Sequence, residues 1–360
     1  KKKFYILNIL RLSICQILFL DVKEYSIVNT AVEISKSHKF DKFVNGLLRN
    51  ICRNKNKILQ NLELKNNIPP WIKNDIIQNL GKETLKKISE TIVNEPNLNI
   101  KIKANCIKKK NWEKVLNGKF IFNDILKTQN DGPIEKKPFF NEGDWWIQNI
   151  SSTLPVRLIS KIFQNVDKSK ISILDVGAAP GGKTFQLIEE NFNVKSLEIS
   201  QRRIRRLRQN LQRLKFDANI ICEDFFNYKC SNLFDCILID APCSASGLIQ
   251  KKPEILIRNK EKNIKELIHK QQRMLEKSKE LLKIGGYVVY CVCSIHSSEG
   301  SNQIEIFLRK NTNFKIIELN NITDNFGKCS KKGMLTITPG SFGIDGGADG
   351  FFISIFKRTK

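Results

Sequence analysis

Two cysteines stand at the ends of two short apolar runs. Cys243 lies in Asp240-Ala241-Pro242-Cys243-Ser244, just after Cys236-Ile237-Leu238-Ile239. Cys293 lies in Cys291-Val292-Cys293-Ser294, just after Tyr287-Val288-Val289-Tyr290. If each run is a strand of an open α/β sheet, both thiols fall just past strand carboxyl ends, where such sheets bind ligands. Two thiols converging there suit covalent attack on an electrophile, because a thiolate is a strong nucleophile. Taken singly, a free cysteine is more often a small buried hydrophobe. That plainer reading is given to Cys291, which has no motif, and to Cys15, Cys52, Cys106, Cys222, Cys230, Cys236 and Cys329.

A third segment of the same kind is Ile173-Leu174-Asp175-Val176-Gly177-Ala178-Ala179-Pro180-Gly181-Gly182-Lys183-Thr184. It reads as strand, glycine-rich turn, then helix. The glycines allow close backbone approach to a ligand, and the helix from Lys183 aims free N–H groups at it. The spacing fits neither the dinucleotide glycine pattern nor the P-loop. Acids recur near the ends of successive strands: Asp175, Glu198, Asp224 and Asp240. An acid after the second strand can accept hydrogen bonds from a ribose. Four acids suit a neutral or cationic adenosyl ligand better than a pyrophosphate.

The elements that must hold these residues are legible from about residue 138 onward. Strands are expected at Ser172–Val176, Val194–Ile199, Asn219–Cys222, Cys236–Ile239, Tyr287–Tyr290 and Phe351–Phe356, with helices at Arg202–Leu214 and Asn263–Leu282. This alternation predicts an α/β, Rossmann-like domain with a doubly wound parallel sheet over 138–360. Residues 1–68 read as an all-α helical module. The first apolar run is broken by Asn8, Arg11, Ser13 and Gln16, and Leu7, Leu10, Ile14, Ile17 and Leu18 recur at helical spacing. An amphipathic helix is therefore expected there rather than a signal peptide. The chain begins without Met, which leaves room for an incomplete first helix. Asn67-Ile68-Pro69-Pro70-Trp71 marks a boundary. Residues 69–137 read as a small α+β middle segment with one strand near Phe120-Ile121-Phe122.

A net charge of +25 makes a polyanionic partner plausible, although heavy Lys, Asn and Ile usage by itself produces a basic chain. The ten cysteines form no CxxC pair, so neither a disulfide framework nor a zinc site is expected. His38, His269 and His296 have no metal-ligand spacing, and no metal is expected. No apolar run is long enough to span a membrane, and a reduced, cytoplasmic setting follows.

The motifs Ala178-Ala179-Pro180-Gly181-Gly182-Lys183-Thr184, Asp240-Ala241-Pro242-Cys243-Ser244-Ala245-Ser246-Gly247 and Cys293-Ser294, in that order, resemble the Sun/Fmu family of RNA cytosine-5 methyltransferases. Lys251-Lys252-Pro253-Glu254, Gly285-Gly286 and Asp349-Gly350-Phe351-Phe352 add to the likeness. The resemblance implies S-adenosyl-L-methionine as cofactor, bound by Gly177, Ala178, Ala179, Pro180, Gly181, Gly182, Lys183, Glu198, Asp224 and Asp240. It implies Cys293 as the nucleophile, Cys243 as the residue assisting product release, Asp240 on the cytosine edge, and Lys183 positioning the base or lowering a thiol pKa. A target base must leave its stack to reach such a pocket. Four positions depart from the family pattern: Gly177 where Cys is frequent, Val292 for Thr, Glu198 for Asp, and Asn149 for Asp.

Phe43-Val44-Asn45-Gly46-Leu47-Leu48-Arg49-Asn50 resembles a helix of NusB-like RNA-binding modules, which precede the catalytic domain in the RsmB-like 16S rRNA methyltransferases of this family. The middle segment is similar in position to an RNA-recognition module. Lys108–Lys110 and the arginines of 202–208 are candidates for phosphate contacts. The resulting expectation is a monomeric enzyme methylating carbon 5 of a specific cytosine in 16S rRNA through a covalent cysteine–cytosine adduct. A tRNA cytosine-5 methyltransferase and a non-catalytic RNA-binding or antitermination factor are the rivals.

Overall fold

The computed structural model describes residues 2–62, 67–259, 261–319, 329–330, 333–341 and 348–360. The chain divides into two compact units, Lys1–Asn66 and Asn67–Lys360.

The first unit is helical: α1 (Lys2–Phe19), α2 (Glu24–Lys36), α3 (Asp41–Arg53) and α4 (Lys55–Gln60). Its core joins Ile6, Leu10 and Ile17 of α1 to Ile27, Val28 and Ala31 of α2 and to Val44 and Leu48 of α3. The buried stripe of α1 is rotated from the expected one, for Ile6 is buried while Leu7 is 41% exposed.

The second unit opens with α5 (Pro70–Leu80) and α6 (Lys82–Thr91). Pro70 sits in the first turn of α5, where its missing N–H costs no helical bond. A small antiparallel sheet follows, in the order β2 (Gly118–Phe122), β3 (Ile125–Thr128), β1 (Leu98–Ile102), β4 (Trp145–Ile147). Between β1 and β2 lies the short α7 (Trp112–Val115). Three of these strands were not expected, and β4 comes from beyond residue 137, since Trp145 and Trp146 pair with Ile102 and Lys101.

Among the described residues the remaining strands form one nine-stranded sheet. They are β5 (Ser172–Val176), β6 (Asn193–Leu197), β7 (Asn219–Ile221), β8 (Phe234–Asp240), β9 (Leu282–Val292), β10 (Phe314–Ile316), β11 (Cys329–Ser330), β12 (Met334–Ile337) and β13 (Phe351–Arg358). Their order is β11-β12-β13-β9-β8-β5-β6-β7, with β10 also paired to β13. The sheet is mixed, a correction to the parallel expectation: β5 to β9 run parallel, whereas β13 runs antiparallel to β9, β10 and β12. Parallel neighbours need a crossover element. Among the described residues no helix lies between β10 and β13, so that end of the sheet returns antiparallel.

Helices cover both faces. On one, α8 (Ile150–Ile162) packs Leu154, Leu158 and Ile159 against Ile173, Cys236, Leu238 and Val289. On the other, α12 (Glu261–Leu281) and α13 (Ser301–Lys310) pack Met274, Leu275, Ile304 and Phe307 against Ile237, Val288 and Tyr290. α9 (Gly182–Glu189) follows β5, α10 (Gln201–Leu214) follows β6, and the short α11 (Ile255–Arg258) follows β8. α10 buries Ile204, Leu207, Leu211 and Leu214, the residues its spacing predicts. Strand order reverses between β5 and β8. The carboxyl ends of those two strands are therefore where a ligand crevice belongs.

Candidate active site

β8 and β9 are parallel neighbours whose register pairs Asp240 with Cys291. Their loops leave the sheet side by side, and the two sulfurs meet: Cys243 Sγ lies 3.3 Å from Cys293 Sγ. Backbone bonds fix the approach. Ala241 N–H donates to the Cys291 carbonyl and Gly247 N–H to the Cys293 carbonyl, both at 3.0 Å. Gly350 N–H closes on the Gly247 carbonyl at 2.8 Å. An added Cβ at Gly247 would run into the Gly350 backbone, so this crossing requires glycine. The hydrogen bond with Cys293, together with burial, pushes the Cys243 thiol well above its usual range. Cys243 is therefore a neutral S–H at physiological pH.

Beneath the pair, Lys183 reaches from the first turn of α9 to Asp240, Nζ to Oδ2 at 2.8 Å. Burial disfavours its ammonium, but the Asp240 carboxylate outweighs this and holds Lys183 above the usual lysine range. Asp175, at the end of β5, is fully buried and accepts the Thr184 hydroxyl at 2.6 Å. Burial pushes its carboxyl up to about 6. Its Oδ1 accepts no hydrogen bond.

Two cavities flank these residues. The first, about 320 Å³, is lined by Gly177, Glu198, Asp224, Phe225, Asp240 and Cys243, among others. The second, about 490 Å³, is lined by Asn149, Pro180, Lys183, Lys251, Asp349 and Phe351, among others. Gly177, Asp240 and Cys293 line both, and so form the wall between them. The glycine-rich loop is divided: Gly177 faces both cavities, whereas Ala178, Ala179, Pro180, Gly182 and Lys183 face the second alone. Gly181, at φ +120°, starts α9 and lines neither.

The first cavity has the chemistry of an adenosyl site. Glu198 is buried there, with Oε1 accepting from Ser200 N–H at 3.0 Å. Its Oε2 lies 3.0 Å from Arg203 Nη1 but accepts no aligned hydrogen bond, which leaves acceptor capacity for a ribose hydroxyl. Gly177 has φ +80°, and a Cβ there would lie 2.7 Å from the Asp240 carbonyl. Glycine rather than the more frequent cysteine thus suits this backbone. Asp224 caps its own turn, accepting from Phe226 N–H at 3.0 Å. Asn149 caps α8 and accepts Asp349 N–H at 3.0 Å, holding the second cavity's acid, which pairs with Lys251 at 2.8 Å.

Sequence reading missed two residues here. Arg203 donates to the Ala179 carbonyl and pairs with Glu198, although it stands in a basic run whose arginines read as candidates for phosphate contacts. Glu299 is buried behind both cysteine loops, and a lone acid in a loop carries no signal. Of the other cysteines, Cys106, Cys236 and Cys291 are buried, and Cys52 and Cys230 half-buried. Cys15 and Cys222 are exposed, contrary to the hydrophobe reading. The side chain of Cys329 lies outside the described residues. Arg202, Arg205, Arg206, Arg208, Lys108 and Lys109 are exposed, whereas Lys110 pairs with Asp144 at 3.1 Å.

The switch-point crevice, its adenosyl-type cavity and the paired thiols beside it define a protein of the S-adenosylmethionine-dependent methyltransferase class. Residues 162–357 match the family described as 16S rRNA methyltransferase RsmB/F, and the chain belongs to that family of rRNA methyltransferases. Residues 1–53 match the NusB family. The chain is 28% identical to the ribosomal RNA small subunit methyltransferase B of Cronobacter sakazakii, over 92% of this chain and 76% of that one. It is 30% identical to the Proteus mirabilis protein of the same name, over 78% and 68%. Its fold is similar to that of NSun6 from Pyrococcus horikoshii, at TM-score 0.66 and 18% identity, over 81% of this chain and 98% of that one. It is also similar to a methyltransferase homolog protein from the same organism, at TM-score 0.59 and 24% identity, over 80% and 94%. Among the described residues no helix is long and apolar enough to cross a membrane.

Proposed function

We propose that the chain methylates carbon 5 of one cytosine in 16S rRNA through a transient bond between Cys293 and the base. The observation that carries this reading is the thiol pair, 3.3 Å apart, with Cys293 on the wall between the adenosyl-type cavity and the second cavity. S-adenosylmethionine, held by Gly177, Glu198, Asp224 and Asp240, supplies a methyl group on a positively charged sulfur. Ala178, Ala179, Pro180, Gly182 and Lys183 of the glycine-rich loop line the second cavity and support the wall from that side.

Carbon 5 of cytosine is a weak nucleophile. Addition of the Cys293 thiolate at carbon 6 forms a carbon–sulfur bond and moves ring electrons to carbon 5, which can then take the methyl group. Asp240, fixed by Lys183, hydrogen-bonds the cytosine edge and stabilises its protonated ring nitrogen. Loss of the carbon 5 proton to a base re-forms the double bond, and sulfur departs as thiolate. The neutral Cys243 S–H donates to that sulfur and assists its departure.

The helical unit and the small sheet supply RNA contacts, and the protein acts as a cytoplasmic monomer without a metal. The test is transfer of labelled methyl from S-adenosylmethionine to unmodified 16S rRNA and, in parallel, to tRNA, with bisulfite mapping. Label at a single 16S cytosine, lowered at least about 10⁴-fold by Cys293→Ala, is expected. Label in tRNA alone, or full activity of Cys293→Ala, contradicts the reading.

A further inference from the structure

Glu299 is fully buried, yet among the described residues no Lys or Arg forms an ion pair with it. Its two oxygens take four donors instead. Oε1 accepts from Ser244 N–H at 2.8 Å and from Gln271 Nε2 at 3.1 Å. Oε2 accepts from the Ser244 and Ser294 hydroxyls, the latter at 2.7 Å. A carboxylate offers about four lone-pair sites, so this group is saturated. Burying it without a cation is costly unless donors surround it in this way.

The donors are not a random set. Ser244 directly follows Cys243, and Ser294 directly follows Cys293. Gln271 also donates to the Pro242 carbonyl at 2.9 Å, one residue before Cys243. The Ser294 hydroxyl lies 2.8 Å from that of Ser246, and His296 N–H donates to it at 3.1 Å. One carboxylate therefore anchors the residue after each thiol. An apolar side chain would fill the space but leave Ser244 N–H without an acceptor and remove one acceptor each from the Ser244 and Ser294 hydroxyls and the Gln271 amide.

We propose that Glu299 is a positioning residue for methyl transfer, tying the Cys243 and Cys293 loops to one anchor and so setting the separation of the two sulfurs. The inference rests on the thiol pair being the reactive pair. Its charge acts as well: after the hydrogen bond with Cys293 and burial, the charges of Cys293 and Glu299 favour the neutral Cys243 thiol.

The test is Glu299→Gln in the full chain, read three ways. Glutamine keeps the shape but replaces one acceptor by a donor facing two hydroxyls. The expected result is a kcat about 100-fold lower at little-changed KM, with the alkaline limb of the pH–rate profile displaced to lower pH. The third reading needs no turnover. Diamide accepts the two electrons and two protons released as Cys243 and Cys293 form a disulfide, and mass spectrometry follows the bond. Loosened loops lower that rate about tenfold. An unchanged disulfide rate, or an unchanged kcat and pH profile, overturns the proposal. If Glu299→Gln does not fold, Ser294→Ala, which deletes one donor, is expected to show the same three changes in weaker form, and wild-type values from it overturn the proposal. Full activity of Cys293→Ala would instead sink the thiol reading and leave the disulfide rate to judge Glu299 alone.

Discussion

At the scale of single residues, burial decides which groups are charged. Asp175 is the clearest case. Its carboxyl titrates near 6 in the folded chain because burial disfavours the charged form, and the Thr184 hydroxyl and the Lys183 charge offset this only in part. Between its ordinary value of 3.8 and about 6 the native state holds a proton that the unfolded chain has released. Stability from this group is thus full below pH 3.8, falls as pH rises to about 6, and is flat above that. Asp175→Asn keeps an acceptor for the Thr184 hydroxyl and removes the titration. The variant is expected to gain on the wild type by roughly 2–3 kcal/mol as pH rises from about 4 to about 7. Urea unfolding of both proteins across that range checks it, and parallel curves would refute it.

At the scale of elements, two helices outside the main sheet brace the loops that carry Cys243 and Cys293. Ile72 and Ile76 of α5 and Leu85 and Ile88 of α6 pack with Ile249, which follows the Cys243 loop, and Ile295, which follows Cys293. Asp75 accepts both the backbone N–H of Ser297, at 3.0 Å, and its hydroxyl. Ile76 is completely buried. Ile76→Ala is expected to cost about 2–5 kcal/mol, and to open the Ser294–Ser297 loop to hydrogen exchange before the central strands. Uniform exchange along the unit would contradict this. The same scale shows what the sequence could and could not disclose. The apolar runs of β5, β8 and β13 are buried on both faces and read as strands on sight. β1 does not, because its Asn99 and Lys101 are as buried as its isoleucines. Asn99 accepts from Ile150 N–H at 3.1 Å and Lys101 pairs with Glu189 at 2.6 Å, partners far away in sequence. Strand direction was hidden for a related reason: periodicity carries no sign, so β13 looked like one more parallel strand. The thiols, Asp240 and Lys183 were legible because motif and strand end coincide. Glu299 was not, because its significance comes only from which loops fold onto it.

At the scale of the molecule, a charge of +25 must be accommodated on the surface. Arg213 of α10 donates to the Phe140 and Trp145 carbonyls, whereas Arg202, Arg205, Arg206 and Arg208 are exposed, as are Lys108 and Lys109. A phosphate track would use such residues. RNA affinity is expected to fall steeply with salt, and Arg205→Ala with Arg206→Ala is expected to reduce the log–log slope by about 1–2. Filter binding between about 50 and 200 mM salt measures this. An unchanged slope would move the track elsewhere on the surface.

A covalent complex reports directly which sulfur bonds the base. Cys243→Ala, incubated with 16S rRNA and S-adenosylmethionine, is expected to yield a protein–RNA complex that survives denaturing electrophoresis, because addition proceeds and release is slowed. Cys293→Ala and the double variant are expected to yield none. A complex formed by Cys293→Ala, or methylation by Cys243→Ala at the wild-type rate with no complex, would contradict the assignment of the two thiols.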